Sequence, residues 1–566
     1  MPPLPDATVT IRDGALGLVS TSTASTQIKF GVSILSPINT IVSVSDQAAL
    51  TKALGNTGPL AEAGAQCLSQ AGGPVYLVPV NPSTYGAASA VVKLGTGTET
   101  LTVGAQPAVQ VLVKFTLGGA VAVATVAYSV DGGVTYSASV VTAATLMISN
   151  NTLTTLAFGA GTAIIGDIVT VKTDGTTSLT TGTGTLVPTV SSASPVDAYN
   201  GVATITTAGA LGAMAFTYSM DGGITTLGPI LSVGSGKYVV PDTGVLLTFS
   251  GTSTVGDYFT FSSTAASYSA TDLQNAWNVA ITDPRVFGLV HVVGAASTVA
   301  GAATLLSSLD TLLTTAATSY RYARAFLEVP SDTDANTLSA FAASSSTRVL
   351  ACAGYAYTTG ALKSWVLPRN SAWHASARAS SVSIKEDLGR VATGPIKQIP
   401  GSLPAAIGLA SGQKPLARDE QVTQGLDAGR FLTLRSILGL NGFYITNPNT
   451  MATVGSDFKW LQYGRVIDVA AGALRTAALQ FLNDSVLTNN DGTIREMSAR
   501  VIEVSCDAAV RNSLGSGNVS DIKILVSRTQ NVVSTATLPI TLRVLPVGYT
   551  KYITLDVGFK NINLGN

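Results

Sequence analysis

Histidines, cysteines and clustered carboxylates are the residues with which chemistry would start, and this chain has few of the first two. Of its two histidines, His291 lies inside an apolar strand and His374 stands beside Trp373. Neither has Cys, Asp or Glu at the spacing a metal requires, so they read as a core histidine and a surface histidine. Cys67, Cys352 and Cys506 are odd in number and far apart, with no CxxC pair, and read as buried thiols. Serines abound, yet no G-x-S-x-G elbow is present. "DTDAN" (332–336) begins like a calcium loop but has no glycine at its sixth position and Ala343 where the glutamate belongs, which leaves a solvated helix start. "TGTGTL" (181–186) resembles half a phosphate loop without its lysine and reads as a linker. No catalytic residue, metal site or cofactor is expected, so the chain reads as a non-enzyme.

The most conspicuous pattern is instead a repeat. "AYSVDGGVT" (127–135) returns as "TYSMDGGIT" (217–225), Phe115 and Gly119 match Ile205 and Gly209, and the stretch 156–173 matches 247–264. Asp-Gly-Gly supplies the positive φ of two-residue hairpin turns, so turn geometry accounts for it. These copies lie in a Thr/Ser/Gly/Val-rich region from 86 to 268 that holds only twelve charged residues. About six short strands per copy point to two small Ig-like sandwiches in tandem, 86–187 and 188–268.

On either side the texture is helix and strand. Residues 28–82 read as strand, a helix capped by Ser45, a second helix stopped by glycine, and a strand. The pattern resumes with Thr271 and Asp272 as cap candidates, a strand over 286–293, a helix over 297–316, strand "RAFLEVP", helix "DANTLSAFAASS" and strand "RVLACAGYAY". The apolar run 286–309 is long enough to raise a membrane span, but its β-branched first part, Gly294 and its Ala/Gly/Ser-rich second part suit a strand, turn and helix better. The expected architecture is multidomain, α+β with α/β. Residues 1–27 form an N-terminal arm, 28–85 and 269–366 a discontinuous α/β domain, 367–419 a connecting segment, and 420–566 a C-terminal α+β domain.

In 456–482, Trp460, Tyr463, Ile467, Ala471, Leu474, Ala478 and Phe481 recur at helical spacing, while Lys459, Arg465 and Arg475 fall elsewhere as a solvated basic side. Both ends alternate. Val9 and Ile11 share a face near the start, as do Ile553, Leu555, Val557 and Phe559 near the end. Net charge is zero, but the chain before residue 284 carries 7 basic and 14 acidic residues against 25 and 18 after it. Basic residues scattered among acids argue against a nucleic-acid partner. The opening lacks the basic and apolar regions of a signal peptide, which suggests folding in the cytoplasm.

The serial order of these segments resembles the tail sheath proteins of contractile-tailed bacteriophages and related contractile injection systems. It is carried by "LAEAGAQCLSQAGGPVYLVPV" (60–80), the middle α/β segment 269–359, the proline-led stretch 367–401, and "GRFLTLRSILGLNGFYITNPNTMA" followed by "DFKWLQYGRVIDVAAGALRTAALQFLND". About two thirds of the chain is covered, the repeats excepted; "YLVPV" departs from relatives that have an arginine after the valine. The resemblance implies a sheath-type α/β core with inserted units and terminal arms that exchange strands between subunits. It implies a homo-oligomer of stacked hexameric rings forming a helical sheath in the virion tail, assembled in the host cytoplasm. Its partners would be the tail tube, baseplate and tail terminator proteins, with no nucleic acid and no membrane insertion. Contraction would drive the tube through the host envelope for genome ejection. The C-terminal domain would lie against the tube, with Lys459, Arg465 and Arg475 facing it. The alternative is a virion surface protein whose Ig-like modules adhere to the host; a depolymerase would need paired carboxylates or β-helix repeats, and neither is present.

Overall fold

The structure is a computed structural model that describes residues 24–98, 100–148, 154–173, 177–186, 189–400, 403 and 415–559. The arm residues Val9 and Ile11 lie outside the described residues. The chain enters through β1 (Gln27–Gly31), β2 (Val42–Val44), α1 (Gln47–Leu54), α2 (Pro59–Ala71) and β3 (Val75–Pro79). Asp46, not Ser45, caps α1, because its carboxylate reaches the Ala49 N–H at 2.8 Å.

The inserted region contains two successive repeats. The first comprises β4 (Val92–Leu94), β5 (Thr100–Ala105), β6 (Val111–Leu117), β7 (Thr125–Ser129), β8 (Val140–Val141), β9 (Thr145–Met147), β10 (Thr154–Ala157) and β11 (Ile168–Val171). The second comprises β12 (Thr177–Thr181), β13 (Thr189–Ala193), β14 (Asn200–Thr207), β15 (Ala215–Ser219), β16 (Leu227–Leu231), β17 (Lys237–Val240), β18 (Val245–Ser250) and β19 (Tyr258–Ser262). Each unit has a five-stranded and a three-stranded antiparallel sheet around its own core, but the repeats exchange their leading strands. One unit has the orders β12-β11-β6-β7-β8 and β13-β10-β9; the other has β4-β19-β14-β15-β16 and β5-β18-β17. Strand for strand these orders correspond, so β4–β5 complete the second unit and β12–β13 the first.

The expected boundaries are corrected accordingly. Residues 92–105 belong with the second unit and 189–193 with the first, and the units are crossed rather than simply tandem. "TGTGTL" is likewise no free linker: Asp167, buried in the first unit, accepts from the Thr183 and Gly184 N–H groups at 3.3 and 3.1 Å. Asp257 accepts from Thr96 and Gly97 at 2.9 and 3.0 Å in the second. Nor is Asp-Gly-Gly a two-residue turn. Gly222 and Gly223, at φ 78° and 91°, lie in a loop that spans 220–226 between β15 and β16.

The chain then returns through α3 (Ala270–Thr282), β20 (Leu289–Val292), α4 (Val299–Thr318), β21 (Arg324–Glu328), α5 (Asp334–Ala340) and β22 (Val349–Cys352). Ser269 caps α3 in a reciprocal box with Asp272, two residues before Thr271, the first of the expected caps. The first and returning segments make one sheet, β2-β3-β1-β20-β21-β22, parallel apart from β2. α3 and α4 cover one face; α2 and α6 (Ser371–Ser381) cover the other. α6 lies in the expected connecting segment 367–419, yet it packs on β20 and β21 and therefore belongs to the α/β domain. α4 is apolar enough to span a membrane by composition, but Leu305, Leu306, Leu309 and Leu313 are buried in the core.

The hairpin β23 (Tyr355–Thr359) and β24 (Val366–Asn370) ties the second unit to this domain. Trp365 meets Tyr199 edge-on at 5.6 Å, and Arg369 grips Asp197 through two bonds of 2.9 and 2.5 Å. The rest of the chain forms β25 (Leu434–Ser436), β26 (Phe443–Ile445), α7 (Leu461–Ala478), α8 (Glu496–Leu514), β27 (Asp521–Val526), α9 (Val532–Thr535) and β28 (Ile540–Leu545). β27 turns Ile522, Ile524 and Val526 onto Ile502, Cys506 and Val510 of α8.

Candidate assembly site

The densest group of titratable side chains is sealed inside the parallel sheet. Lys29 Nζ lies 3.0 Å from His291 Nδ1 and donates to Ser376 Oγ at 3.2 Å, and His291 Nε2 is 3.0 Å from Glu328 Oε1. Burial pushes Lys29 down to about 8 and Glu328 up to about 7, and it keeps His291 well below its ordinary range. Lys29 and His291 have no exposed surface, so the group cross-links β1, β20, β21 and α6. His374, expected at the surface, is also fully buried; burial lowers it to about 3, and Gln66 and Thr358 hold its two nitrogens at 2.9 and 3.0 Å. All three cysteines are free and buried. Among the described residues no cluster of three His, Cys, Asp or Glu side chains could hold a metal.

The outer end of the C-terminal domain is arranged differently. Among the described residues β27 and β28 form a sheet of two strands, so no third strand covers either outer edge, although Glu503, Arg511 and Arg528 take backbone groups of Val526 and Ile522 on the β27 side. Beyond β28 the chain is fastened once more. Tyr549 Oη donates to the Lys385 carbonyl, Lys551 Nζ binds the Asp387 carboxylate and donates to Asn447 Oδ1 at 2.8 Å, and the same ammonium lies 4.8 Å from the centre of the Trp460 ring. Past this clamp Ile553, Leu555, Val557 and Phe559 are 73, 81, 89 and 108 % exposed. The expected strand is not formed: residues 551–559 have no ladder among the described residues, and only the sequence alternation remains. No sequence signal marked Asp387, Asn447, Tyr549 and Lys551 as the fastening, because they meet only in the tertiary structure.

The three basic residues expected on one solvated face separate. Lys459 precedes α7, is exposed, and lies 4.4 Å from the Trp460 ring centre. Arg475 is half-buried and stacks on Tyr320 at 3.7 Å. Arg465 is corrected outright. It is 2 % exposed and bonded to Ser25 Oγ at 2.9 Å, so it does not stand on a solvated helix face. α7 is in fact rotated from its expected phase. Its buried residues are Leu461, Gln462, Gly464, Arg465, Val466, Ala470 and Ala477, because it is covered both by the α/β domain and by α8, while Trp460 and Tyr463 pack on Tyr549 of the tail. Gly464 is required there: a Cβ would fall 1.8 Å from the Arg324 guanidinium carbon.

Comparison with solved structures finds several similar chains. A sheath tail protein from Listeria innocua has a TM-score of 0.41 at 11% identity, covering 92% of this chain and 95% of its own. A sheath tail protein from Desulfitobacterium hafniense has 0.39 at 10%, covering 96% and 100%. The helical sheath of the anti-feeding prophage in its contracted state has 0.43 at 9%, covering 99% of both. No curated protein matches the chain. Residues 4–449 match the DUF2586 N-terminal domain and residues 457–563 the DUF2586 C-terminal domain, so the chain belongs to the DUF2586 family.

Proposed function

We propose that the chain is a structural subunit of a contractile tail sheath, polymerising as stacked rings around a tube and contracting without a cofactor. The observation that carries this reading is the tail beyond Lys551: four alternating apolar side chains stand in solvent in a chain that also presents a two-stranded sheet with no third strand on its β28 edge among the described residues. Strand addition satisfies both, giving main-chain hydrogen bonds along the edge and seats for alternate side chains. A donor on one end and an acceptor on the same subunit make a heterologous contact, which propagates into rings or helices. The serial order of sequence segments supports the same reading, and Val9 and Ile11 would serve in the other arm. Of the basic residues, Lys459 and Arg475 retain the solvent access needed for weak, salt-sensitive contacts to an acidic tube.

Removing residues 552–566 tests the arm. The truncated subunit should be within about 1 kcal/mol of the full chain in stability, since the exposed residues 552–559 contribute little, and should form no polymers by negative-stain microscopy. Polymers of normal length from the truncated chain would overturn the reading.

A further inference from the structure

Between α7, α8 and the Tyr320–Tyr322 loop lies a cleft of about 650 Å³. Arg321, Arg465 and Arg475 line it, with Asp468 as the acidic residue of the lining. Asp468 is already engaged. It accepts from Arg324 Nε at 2.8 Å and from Arg348 Nη1 at 3.3 Å. Arg465 is left with the Ser25 hydroxyl alone, and its Nε and Nη1 are buried with no acceptor among the described residues. Burial and the neighbouring Arg324 push its pKa down to about 10, so it is still charged at neutral pH. Taking an ionised group out of water without a counter-charge is strongly unfavourable, and two orphaned donors add to that. A buried guanidinium N–H without an acceptor suits a carboxylate oxygen.

We propose that this cleft is a carboxylate-binding site, with Arg465 holding the ligand, and that on assembly it receives an Asp or Glu side chain from a second copy of this chain. The charge distribution favours a second copy, since the half before residue 284 carries 14 acidic residues against 7 basic ones and the cleft lies mostly in the other half. The choice of occupant rests on the sheath reading, whereas the site itself does not.

The test has one arm for each. On the unassembled full-length subunit, sodium formate should raise the melting temperature above that in sodium chloride of equal ionic strength, and Arg465→Met should abolish the difference. If methionine unfolds α7, Arg465→Lys, a point charge without the fork, should reduce the formate shift at least about twofold. Equal melting in formate and chloride for the unaltered chain would overturn the site. In assembly, Arg465→Met should raise the critical concentration by about tenfold or more, the loss expected for a charge-assisted pair. A formate shift together with unchanged assembly would overturn the second copy as occupant. Failure of the unaltered chain to polymerise would count against the sheath reading and leave the formate result to stand on its own.

Discussion

The loops 127–135 and 217–225 begin from nearly the same residues and come to rest in different surroundings. In both, Ser129 or Ser219 donates to the following aspartate at 2.6 or 2.7 Å, and Thr135 or Thr225 donates its N–H to that carboxylate at 2.9 or 2.8 Å. The local device is thus the same: an aspartate closing a loop whose glycines take positive φ. The first copy ends there, with Asp131 exposed and Val134 82 % exposed. In the second, Asp221 is 2 % exposed because its other oxygen accepts the Val366 N–H at 3.0 Å, and Met220 enters the core that Trp365 and Leu367 close. A sequence motif fixed the loop, and its neighbours turned one copy into a joint with the α/β domain while the other remained a surface feature.

The largest effect should come from the exchanged ribbon. Deleting residues 92–105 removes β4 and β5, so hydrogen exchange in β14–β19 should rise to unfolded rates while β6–β11 stay protected. Loss of protection in the first unit instead would show that the repeats pair within themselves. Next, Asp221→Ala should cost about 2–4 kcal/mol in a denaturant melt, since it strands buried donors, and Asp131→Ala about 0.5–1 kcal/mol, since water replaces what it loses. Equal costs would break the distinction between joint and surface loop. The smallest effect concerns acid. Hydrogen bonds from Ser129 and Thr135 hold the Asp131 carboxyl below its usual range. A folded pKa below the unfolded one contributes stability above the ordinary carboxylate pKa of about 3.9, and that contribution is lost as pH falls below it. Exchange of the 129–135 segment, corrected for intrinsic rates, should therefore quicken only below about pH 4.

The same contrast shows how far the sequence could be read. β20, α4 and β21 lie within a few residues of their expected ranges, because a strand or an amphipathic helix is written in the spacing of its own side chains. The exchange was partly visible too: "LGTGT" (94–98) and "TGTGT" (181–185) are counterparts held by Asp257 and Asp167. They look like linkers until their aspartates are in place. His374, Arg465 and the phase of α7 were not legible. Polar residues between apolar ones read as solvated, and only packing buries them: α2 and β23 around His374, the α/β domain and α8 around Arg465 and α7.

By itself the sequence determined the periodic elements, the left-handed glycines of the loops, the repeat, and the alternation of the tail. The tertiary structure decided which ribbon completes which unit, which aspartate becomes a joint, and which arginine is left buried beside a carboxylate already shared. The reason is physical. Propensity and periodicity act over a few residues, whereas the choice between two nearly identical strand partners, or between water and a protein neighbour for one charge, depends on what the distant chain brings to that place.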